Sequence, residues 1–165
     1  MASNVPTIRQ ISWLSFIFQL ILVVLMTYLY HLASVDEAFI FGALTYSIVA
    51  FLFRNLIAKR HRQGMKLVRK QKFEEALPYF EKSVEYFSEN RWVDKYRFLT
   101  LLTSSRMSYK EMGLCNIAFC YRQIGNGQKA KEYYEQVLKE FPENGLALVG
   151  LNMLKSMDNK VQLAD

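Results

Sequence analysis

Residues 111–144 read EMGLCNIAFCYRQIGNGQKAKEYYEQVLKEFPEN, and the pattern of this stretch predicts the fold of the C-terminal part of the chain. Apolar and small residues recur at helical spacing on both sides of Gly125, Asn126 and Gly127. Glycine and asparagine tolerate the positive φ that a tight turn requires. The stretch is therefore predicted to form two helices joined by a turn.

The same pattern occurs earlier in the chain, in residues 57–90. The matching positions of the later stretch are Leu114, Ile117, Ala118, Tyr121, Ala130, Tyr134 and Pro142. Those of the earlier stretch are Gly64, Leu67, Ala76 and Phe80, whereas Arg60 occupies the usual Trp position. The spacing resembles that of the tetratricopeptide repeat (TPR), a 34-residue unit of two packed helices. The resemblance implies an all-α domain with TPR-like repeats at residues 57–90 and 111–144.

Small and aromatic side chains in both stretches suit the packing of paired helices. Small residues let two helix backbones approach closely, and aromatic rings fill the remaining space. The small positions are Gly64, Ala76, Ala118 and Ala130. The aromatic positions, which we interpret as packing residues rather than as a ligand cage, are Phe73, Phe80, Tyr121 and Tyr134. The two helices of the earlier repeat are predicted to turn at residues 69–72.

The segments beside the repeats add further helices. Residues 91–110 are predicted to hold an inserted helix and linker, or else to belong to one long helix that continues to about Ile124. Ser108 and Glu111 have the spacing of a capping box that would start the next helix. Residues 145–165 are predicted to form a closing helix and a tail. Because a solenoid usually needs three or more repeats, the inserted helix, the closing helix, a partner protein or a second copy of the chain must cover an exposed end.

The N-terminal part of the chain is predicted to be a transmembrane hairpin. Residues 11–30 are all uncharged and sixteen of these twenty are apolar, while residues 38–58 form a second apolar run whose only charged residue is Arg54. About twenty such residues suffice for a helix to cross a bilayer. Residues 31–37 form the extracytoplasmic turn. The first run is too long for a cleaved signal peptide, and the remaining chain is too short to bury two wholly apolar helices.

Charge separates the hairpin from the rest of the chain. The net charge of +6 combines −1 over residues 1–53 with +7 over residues 54–165. Basic residues flank the two spans at their outer ends, and Asp36 and Glu37 lie in the turn between them. By the positive-inside rule, the N-terminus (1–10) and the repeats are cytoplasmic. We therefore expect a two-span protein of the cell (inner) membrane with both termini in the cytoplasm.

A basic segment follows the second span. Residues 54–72 contain eight Lys or Arg residues and no acidic residue. Beside a membrane, such a cluster attracts anionic lipid headgroups. The residues predicted to contact these headgroups are Arg54, Lys59, Arg60 and Arg62. Nucleic-acid binding is not predicted, because neither a groove-reading element nor stacking aromatic residues accompany the charge.

The sequence offers no recognisable set of catalytic residues. A chain of 165 residues is too short for a large multidomain enzyme. Cys115 and Cys120 lie about 140° apart around a helix, so they are predicted to be buried free thiols rather than metal ligands or a disulfide. Neither His31 nor His61 has a catalytic companion near it in sequence. We therefore predict no catalytic site, no cofactor, no metal and no enzyme activity.

The resemblance to TPR domains implies a function in protein binding, on the concave face formed by the first helix of each repeat. In this chain that face would present His61, Met65, Val68, Arg69, Met112, Cys115, Asn116, Phe119 and Arg122. Asn116 matches a residue with which chaperone-binding family members clamp a C-terminal carboxylate, but His61, Met65 and Phe119 depart from that pattern. A mixed apolar and basic face instead suits an amphipathic or acidic peptide segment.

Two functions are compatible with these features. The first is a membrane-anchored adaptor or scaffold, in which the hairpin fixes the TPR module at the cytoplasmic face and the module recruits or assembles a protein partner. The alternative is an oligomerising subunit of a membrane complex, in which copies of the chain associate and the hairpin itself is the functional element.

Overall fold

The computed structural model describes residues 12–162, which contain nine helices and no strand. The helices are α1 (Trp13–Leu32), α2 (Ala38–Ile57), α3 (Lys59–Arg69), α4 (Phe73–Glu89), α5 (Arg91–Lys95), α6 (Arg97–Thr100), α7 (Tyr109–Gln123), α8 (Gly127–Glu140) and α9 (Gly145–Gln162). The predicted all-α class is thereby confirmed for this part of the chain. The predicted cytoplasmic N-terminus (1–10), the first residue of the predicted first span and the last three residues of the predicted tail lie outside the described residues.

Two long apolar helices, α1 and α2, pack side by side as a hairpin. Over Ser15–Leu32 and Ala38–Ile57 they are long and apolar enough to cross a membrane. The hydroxyl groups of Tyr30 and Thr45 share a hydrogen bond of 2.9 Å between the two helices. A Cβ at Gly42 would lie 2.8 Å from the Cα of Thr27, so the two backbones are in close contact there. Such approach at small residues is typical of helices that pack within membranes.

Residues 91–124 do not form one continuous helix. The short helices α5 and α6 are followed by a loop that lasts until α7 begins at Tyr109. In this loop Leu102 has a φ of 46°, a left-handed backbone conformation that cannot continue a right-handed helix. Residues 90–108, which we call the insert, form one compact unit with residues 12–59. The insert thus belongs to the same compact unit as the hairpin.

The second compact unit contains the repeats. Its described residues are 60–89 and 109–162, which include α3, α4, α7, α8 and α9. A Cβ at Gly64 would lie 2.8 Å from the fully buried ring of Phe80, so α3 meets α4 where the sequence predicts a small residue against an aromatic one. The core cluster to which this ring belongs consists of Val68, Ala76, Leu77, Phe80, Ile117, Phe119 and Cys120.

The turns inside the two repeats lie at the predicted positions. α3 ends at Arg69 and α4 begins at Phe73, while α7 ends at Gln123 and α8 begins at Gly127. Gln71 and Gly125 adopt positive φ angles of 60° and 81°. The side chain of Asn126 accepts a hydrogen bond of 3.1 Å from the backbone N–H of Lys129 and so caps α8.

The closing helix α9 contacts both α7 and α8. A Cβ at Gly150 would lie 2.4 Å from the ring of Tyr134, so the backbone of α9 touches α8 directly. Just before α9, the Oδ1 atom of Asn144 accepts a hydrogen bond of 2.8 Å from the backbone N–H of Ala147. The Nδ2 atom of the same residue donates to Glu111 on α7 at 2.7 Å. Asn144 therefore both caps α9 and links it to α7.

Candidate partner-binding face

Three helices of the repeat unit, α3, α7 and α9, carry equivalent side chains at Met65, Phe119 and Met153. Met153 follows Phe119 by one 34-residue repeat length, and Met65 is the corresponding residue of the first repeat. Met65 packs against the core cluster that contains Phe119. Arg122 connects the other two helices, because its guanidinium lies 5.3 Å from the centroid of the Phe119 ring and its Nη1 donates to the Met153 sulfur at 3.1 Å. We call Met65, Phe119, Arg122 and Met153 the repeat face.

Arginine side chains give this region its charge. Arg122 is half-buried and lies over the Phe119 ring, and Arg69 is exposed at the end of α3. A cation above an aromatic face is attracted by the ring, with about 0.5–1 kcal/mol at an exposed site. A guanidinium has five N–H donors, so Arg122 keeps several donors for a ligand after its bond to Met153. The arrangement can hold an apolar side chain beside a carboxylate.

The residues predicted for the concave face lie at very different depths. Arg69 is exposed. The half-buried residues are Met65, Met112, Asn116 and Arg122. The buried ones are His61, Val68, Cys115 and Phe119, of which Val68 and Phe119 belong to the core cluster. Met153 on α9, whose sulfur accepts from Arg122, is an apolar side chain with 46% of its surface exposed.

His61 lies in an aromatic environment inside the repeat unit. Its ring packs edge-on against Phe80 and Tyr109 at centroid distances of 5.5 and 5.3 Å. Its Nδ1 atom is buried without a hydrogen-bond partner. Removal from water disfavours the charged imidazolium, which lowers the pKa of His61 to about 4. His61 is therefore a neutral packing residue at physiological pH and not an accessible contact for a partner.

Both cysteines are free and buried, as predicted. The Cys115 thiol donates to the Asn144 Oδ1 atom at 3.7 Å, within the network that also includes Glu111. Burial and, to a smaller extent, the nearby Glu111 carboxylate raise the pKa of Cys115 to about 12. Burial likewise raises the pKa of the Cys120 thiol to about 12. Because the thiolate is the reactive form, neither cysteine is suited to nucleophilic chemistry.

The basic residues predicted to contact lipid headgroups do not share one environment. Lys59 and Arg60 are exposed, and Arg62 is half-buried. Arg54 instead uses its guanidinium within the hairpin unit, where Nε donates to the carbonyl oxygen of Leu101 at 3.2 Å and Nη2 donates to that of Leu102. Arg54 thus stabilises the loop of the insert rather than extending toward solvent.

Sequence reasoning missed two residues of the site, Asn144 and Met153. Asn144 had a usable signal, because an asparagine directly before an apolar helical run is a preferred N-cap. Met153 could have been found by carrying the repeat frame one unit beyond Pro142, which places it at the position equivalent to Phe119. Among residues 12–162, no group of three or more His, Cys, Asp or Glu side chains is placed to hold a metal ion.

Comparison with known proteins supports the TPR assignment of the second repeat. The tetratricopeptide repeat family matches the chain over residues 112–144, almost the same stretch as the repeat frame of 111–144. TPR repeats are a non-catalytic fold that generally serves protein–protein interaction, and the matched stretch includes Cys115, Asn116, Phe119 and Arg122. No curated protein and no solved structure shows significant similarity to the chain.

Proposed function

We propose that this protein is a membrane-anchored adaptor, in which a two-helix hairpin holds a TPR module at the cytoplasmic face of a membrane, where the module recruits or assembles a protein partner. One observation carries the proposal: a pair of long helices with exposed apolar side chains lies in the same chain as a TPR match. Leu20, Val24 and Phe39 expose 57, 61 and 68% of their surfaces. Exposed apolar area on this scale suits contact with lipid tails or with another protein.

The charge distribution supports the orientation of the hairpin. Asp36 and Glu37 lie between α1 and α2, whereas the basic cluster of residues 54–72 follows α2. Loops rich in Lys and Arg remain on the cytoplasmic side during insertion. Both ends of the hairpin and the repeats are then cytoplasmic, and the inner or cell membrane is the proposed location.

The partner that best suits the repeat face is an amphipathic or acidic peptide segment. Its apolar side chains would contact Met65 and Met153, and its carboxylates would bind Arg69 and Arg122. Amphipathic segments are commonly recognised by apolar anchors set in a groove, and Arg pairs with carboxylates through two parallel hydrogen bonds. The proposed ligand is thus defined by apolar residues that alternate with Asp or Glu.

Anionic lipids are the second proposed contact of the basic segment. Lys59 and Arg60 are exposed at the start of α3, directly after the second apolar helix. A basic side chain near an anionic membrane surface contributes about 1 kcal/mol to binding. Lys59, Arg60 and Arg62 are therefore the proposed headgroup contacts, and Arg54 supports the insert.

The adaptor function is tested by crosslinking in native membranes followed by mass spectrometry. The test variant combines Arg69→Glu with Arg122→Glu, which reverses the charge of the proposed face and leaves the buried residue Phe119 unsubstituted. The matched control combines Lys82→Glu with Lys131→Glu, two exposed residues on α4 and α8. Both variants change the net charge equally. We expect the wild type and the control to crosslink to the same set of partner proteins, and the test variant to lose them. Equal recovery of these partners from all three proteins would contradict the proposal.

Anchoring is tested separately by washing native membranes with alkaline carbonate, which strips peripheral proteins. The full-length chain should stay in the membrane pellet. A deletion of residues 12–57, which removes both apolar helices, should leave the repeats in the supernatant. Release of the full-length chain by the wash would contradict anchoring by the hairpin.

A second candidate function, an oligomerising membrane subunit, is favoured by the outer surface of α9. Leu148 and Val149 expose 53 and 49% of their surfaces there, and two repeats are fewer than a solenoid usually needs. Sizing of the detergent-solubilised protein distinguishes the two functions. A chain that stays monomeric at high concentration supports the adaptor, and a defined oligomer supports the subunit.

A further inference from the structure

The insert packs against one end of the hairpin. The backbone N–H of Ser12, just before α1, donates to the carbonyl oxygen of Ser104 at 2.8 Å. The ring of Phe18 meets that of Phe98 edge-on at a centroid distance of 5.1 Å. Near the end of α2, Arg54 donates to the backbone of the insert. The first turns of α1 and the last turn of α2 lie at the same end of an antiparallel hairpin, so the insert touches both helices at that end.

These contacts also place the insert at a defined depth along the hairpin. A helix rises about 1.5 Å per residue, so Phe18 lies roughly 8 Å from the start of α1 and Arg54 lies roughly 5 Å from the end of α2. In a hairpin that spans a bilayer, this level is the boundary between lipid headgroups and acyl chains. The insert therefore lies beside the outermost turns of the spans.

Side chains satisfy the irregular backbone of the insert from within the unit. Arg54 donates to the carbonyl oxygens of Leu101 and Leu102, and Arg97 donates to those of Asp94 and Ser105 at 3.0 and 2.9 Å. The Thr100 hydroxyl donates to the carbonyl oxygen of Val93 at 2.7 Å. Where water is scarce, an unpaired carbonyl is costly, and non-helical backbone is tolerated only when the protein satisfies it. Each of these five carbonyl groups of the insert meets this requirement.

The insert has two apolar sides, of which one is buried in the protein. Val93, Leu101 and Leu102 are buried. Trp92, Tyr96 and Leu99 instead expose 62, 45 and 50% of their surfaces. Trp and Tyr are the residue types that concentrate at membrane interfaces, because each combines an apolar ring with a polar group. The exposed basic residues Arg91 and Lys95 beside them suit anionic headgroups.

From this combination we propose that the insert is a third membrane element, which lies in the interfacial layer of the cytoplasmic leaflet with Trp92, Tyr96 and Leu99 immersed among the lipids. The occupant of this surface is the bilayer, because the exposed apolar side chains of the insert and of the spans belong to one compact unit, in which the Phe98 ring contacts both Tyr96 of the insert and Phe18 of α1. The proposal rests on the membrane insertion of the hairpin proposed above. It gives the chain a membrane contact in the middle of its repeats.

Tryptophan fluorescence tests this directly, because the chain has only two tryptophans, Trp13 and Trp92. The full-length protein is reconstituted at low protein-to-lipid ratio into vesicles of phosphatidylcholine and phosphatidylglycerol, with and without brominated acyl chains that quench nearby tryptophan. The Trp13→Phe variant reports Trp92 alone, and the Trp92→Phe variant reports Trp13 at the start of α1. A third variant carries both changes plus Lys131→Trp on the exposed surface of α8. Circular dichroism confirms that each variant keeps the wild-type helix content.

We expect brominated lipids to quench Trp92 to an extent of the same order as Trp13, with bromine near the headgroups more effective than bromine near the chain ends, and to leave the tryptophan at position 131 unquenched. If Trp13 is quenched but Trp92 is not, the hairpin is inserted and the proposal for the insert is overturned. Trp92 that resists both brominated lipid and aqueous acrylamide is covered by protein, which also overturns it. If Trp13 itself is not quenched, the membrane anchor of the proposed function fails as well.

Discussion

At the residue scale, close packing in the repeat unit depends on positions where no larger side chain fits. Gly64 is one of them, because a Cβ at this position would meet the Phe80 ring at 2.8 Å and Phe80 is fully buried. Gly145 offers a contrast, since a Cβ there would meet no atom within 4 Å. The same substitution at these two glycines separates a packing effect from an effect on helix propensity.

The Gly64→Ala substitution should destabilise the repeat unit. Overpacking typically costs about 1–3 kcal/mol, which we expect to exceed the roughly 1 kcal/mol that Ala gains over Gly inside a helix. The measurement is the thermal midpoint of unfolding in detergent, followed by circular dichroism. The Gly145→Ala control should leave the midpoint unchanged or raise it slightly. A higher midpoint for Gly64→Ala would contradict the tight contact with Phe80.

His61 should make the stability of the repeat unit depend on pH. Its pKa is about 4 in the folded protein and about 6.5 when exposed, so between these values only the unfolded state binds the proton. The free energy of unfolding then falls as the pH drops from about 6.5 to about 4, by at most about 1.4 kcal/mol per pH unit from this group. The His61→Phe variant, whose ring fits the same aromatic pocket, should lose this component. Equal pH profiles of the two proteins would show that His61 is not buried as described.

The sequence does not predict how deeply a residue of the proposed face is buried. The resemblance to TPR domains places His61, Cys115 and Phe119 on the concave face, and all three are buried in the structure. Depth depends on what the neighbouring helices place above a residue. Here the rings of Tyr109 and Phe73 contact His61 and Phe119, and no local pattern encodes that contact.

At the element scale, the insert shows how a short irregular segment is held in place. Leu102 has a positive φ, which is strained for a leucine, and its carbonyl oxygen accepts a hydrogen bond from Arg54. A hydrogen bond to a charged donor contributes about 1.5–3 kcal/mol, and Arg54 makes two such bonds to this loop. The loop of the insert therefore depends on one side chain of α2.

The Arg54→Gln substitution should loosen the insert without unfolding the hairpin. Loss of the two charged bonds predicts at least about tenfold faster amide exchange in residues 101–105. Exchange in the middle of α1 should be unchanged, because its backbone bonds are internal to the helix. Hydrogen–deuterium exchange with mass spectrometry measures both regions. The Arg91→Gln variant, at an exposed residue of the insert, is the matched control, and equal protection in the two variants would contradict the role of Arg54.

The regular elements were more predictable than the insert. The turn at residues 125–127 follows from local residue types, because Gly125 and Asn126 suit a positive φ and an N-cap. The turn at residues 69–72 follows from the repeat frame. For residues 91–124 the helical spacing left two alternatives open. The structure has short helices and a loop there, since Arg54 stabilises a loop 47 residues away in sequence. A contact over that distance has no signature in the local sequence.

At the scale of the whole molecule, the protein consists of two compact units of opposite surface character. The unit of residues 12–59 and 90–108 exposes many apolar side chains, whereas the exposed surface of the repeat unit is mainly charged and polar. The mean hydropathy of +0.01 averages over the whole sequence and does not show this difference. This division underlies a prediction about the orientation of the chain.

Labelling of one introduced cysteine in intact cells should reveal that orientation. A membrane-impermeant maleimide should label Asp36→Cys from outside, because this residue is exposed in the turn between the two apolar helices. Lys155→Cys on α9 should be labelled only after permeabilisation. The wild-type chain is the control and should stay unlabelled, because burial raises the pKa of both native thiols to about 12. Labelling of Lys155→Cys in intact cells would invert the proposed topology.

The position of the insert within the chain has a consequence for how firmly the repeats are tethered. Within residues 12–162 the chain passes between the two units near residues 59, 89 and 108, so three covalent connections join them in this part of the chain. A protease that cuts one of these connections would leave the repeats attached through the other two. The insert also delays completion of its unit during synthesis. The unit that contains the hairpin lacks part of its residues until the ribosome has passed Ser108. Residues 57–90 are therefore made before the unit that contains the hairpin is complete.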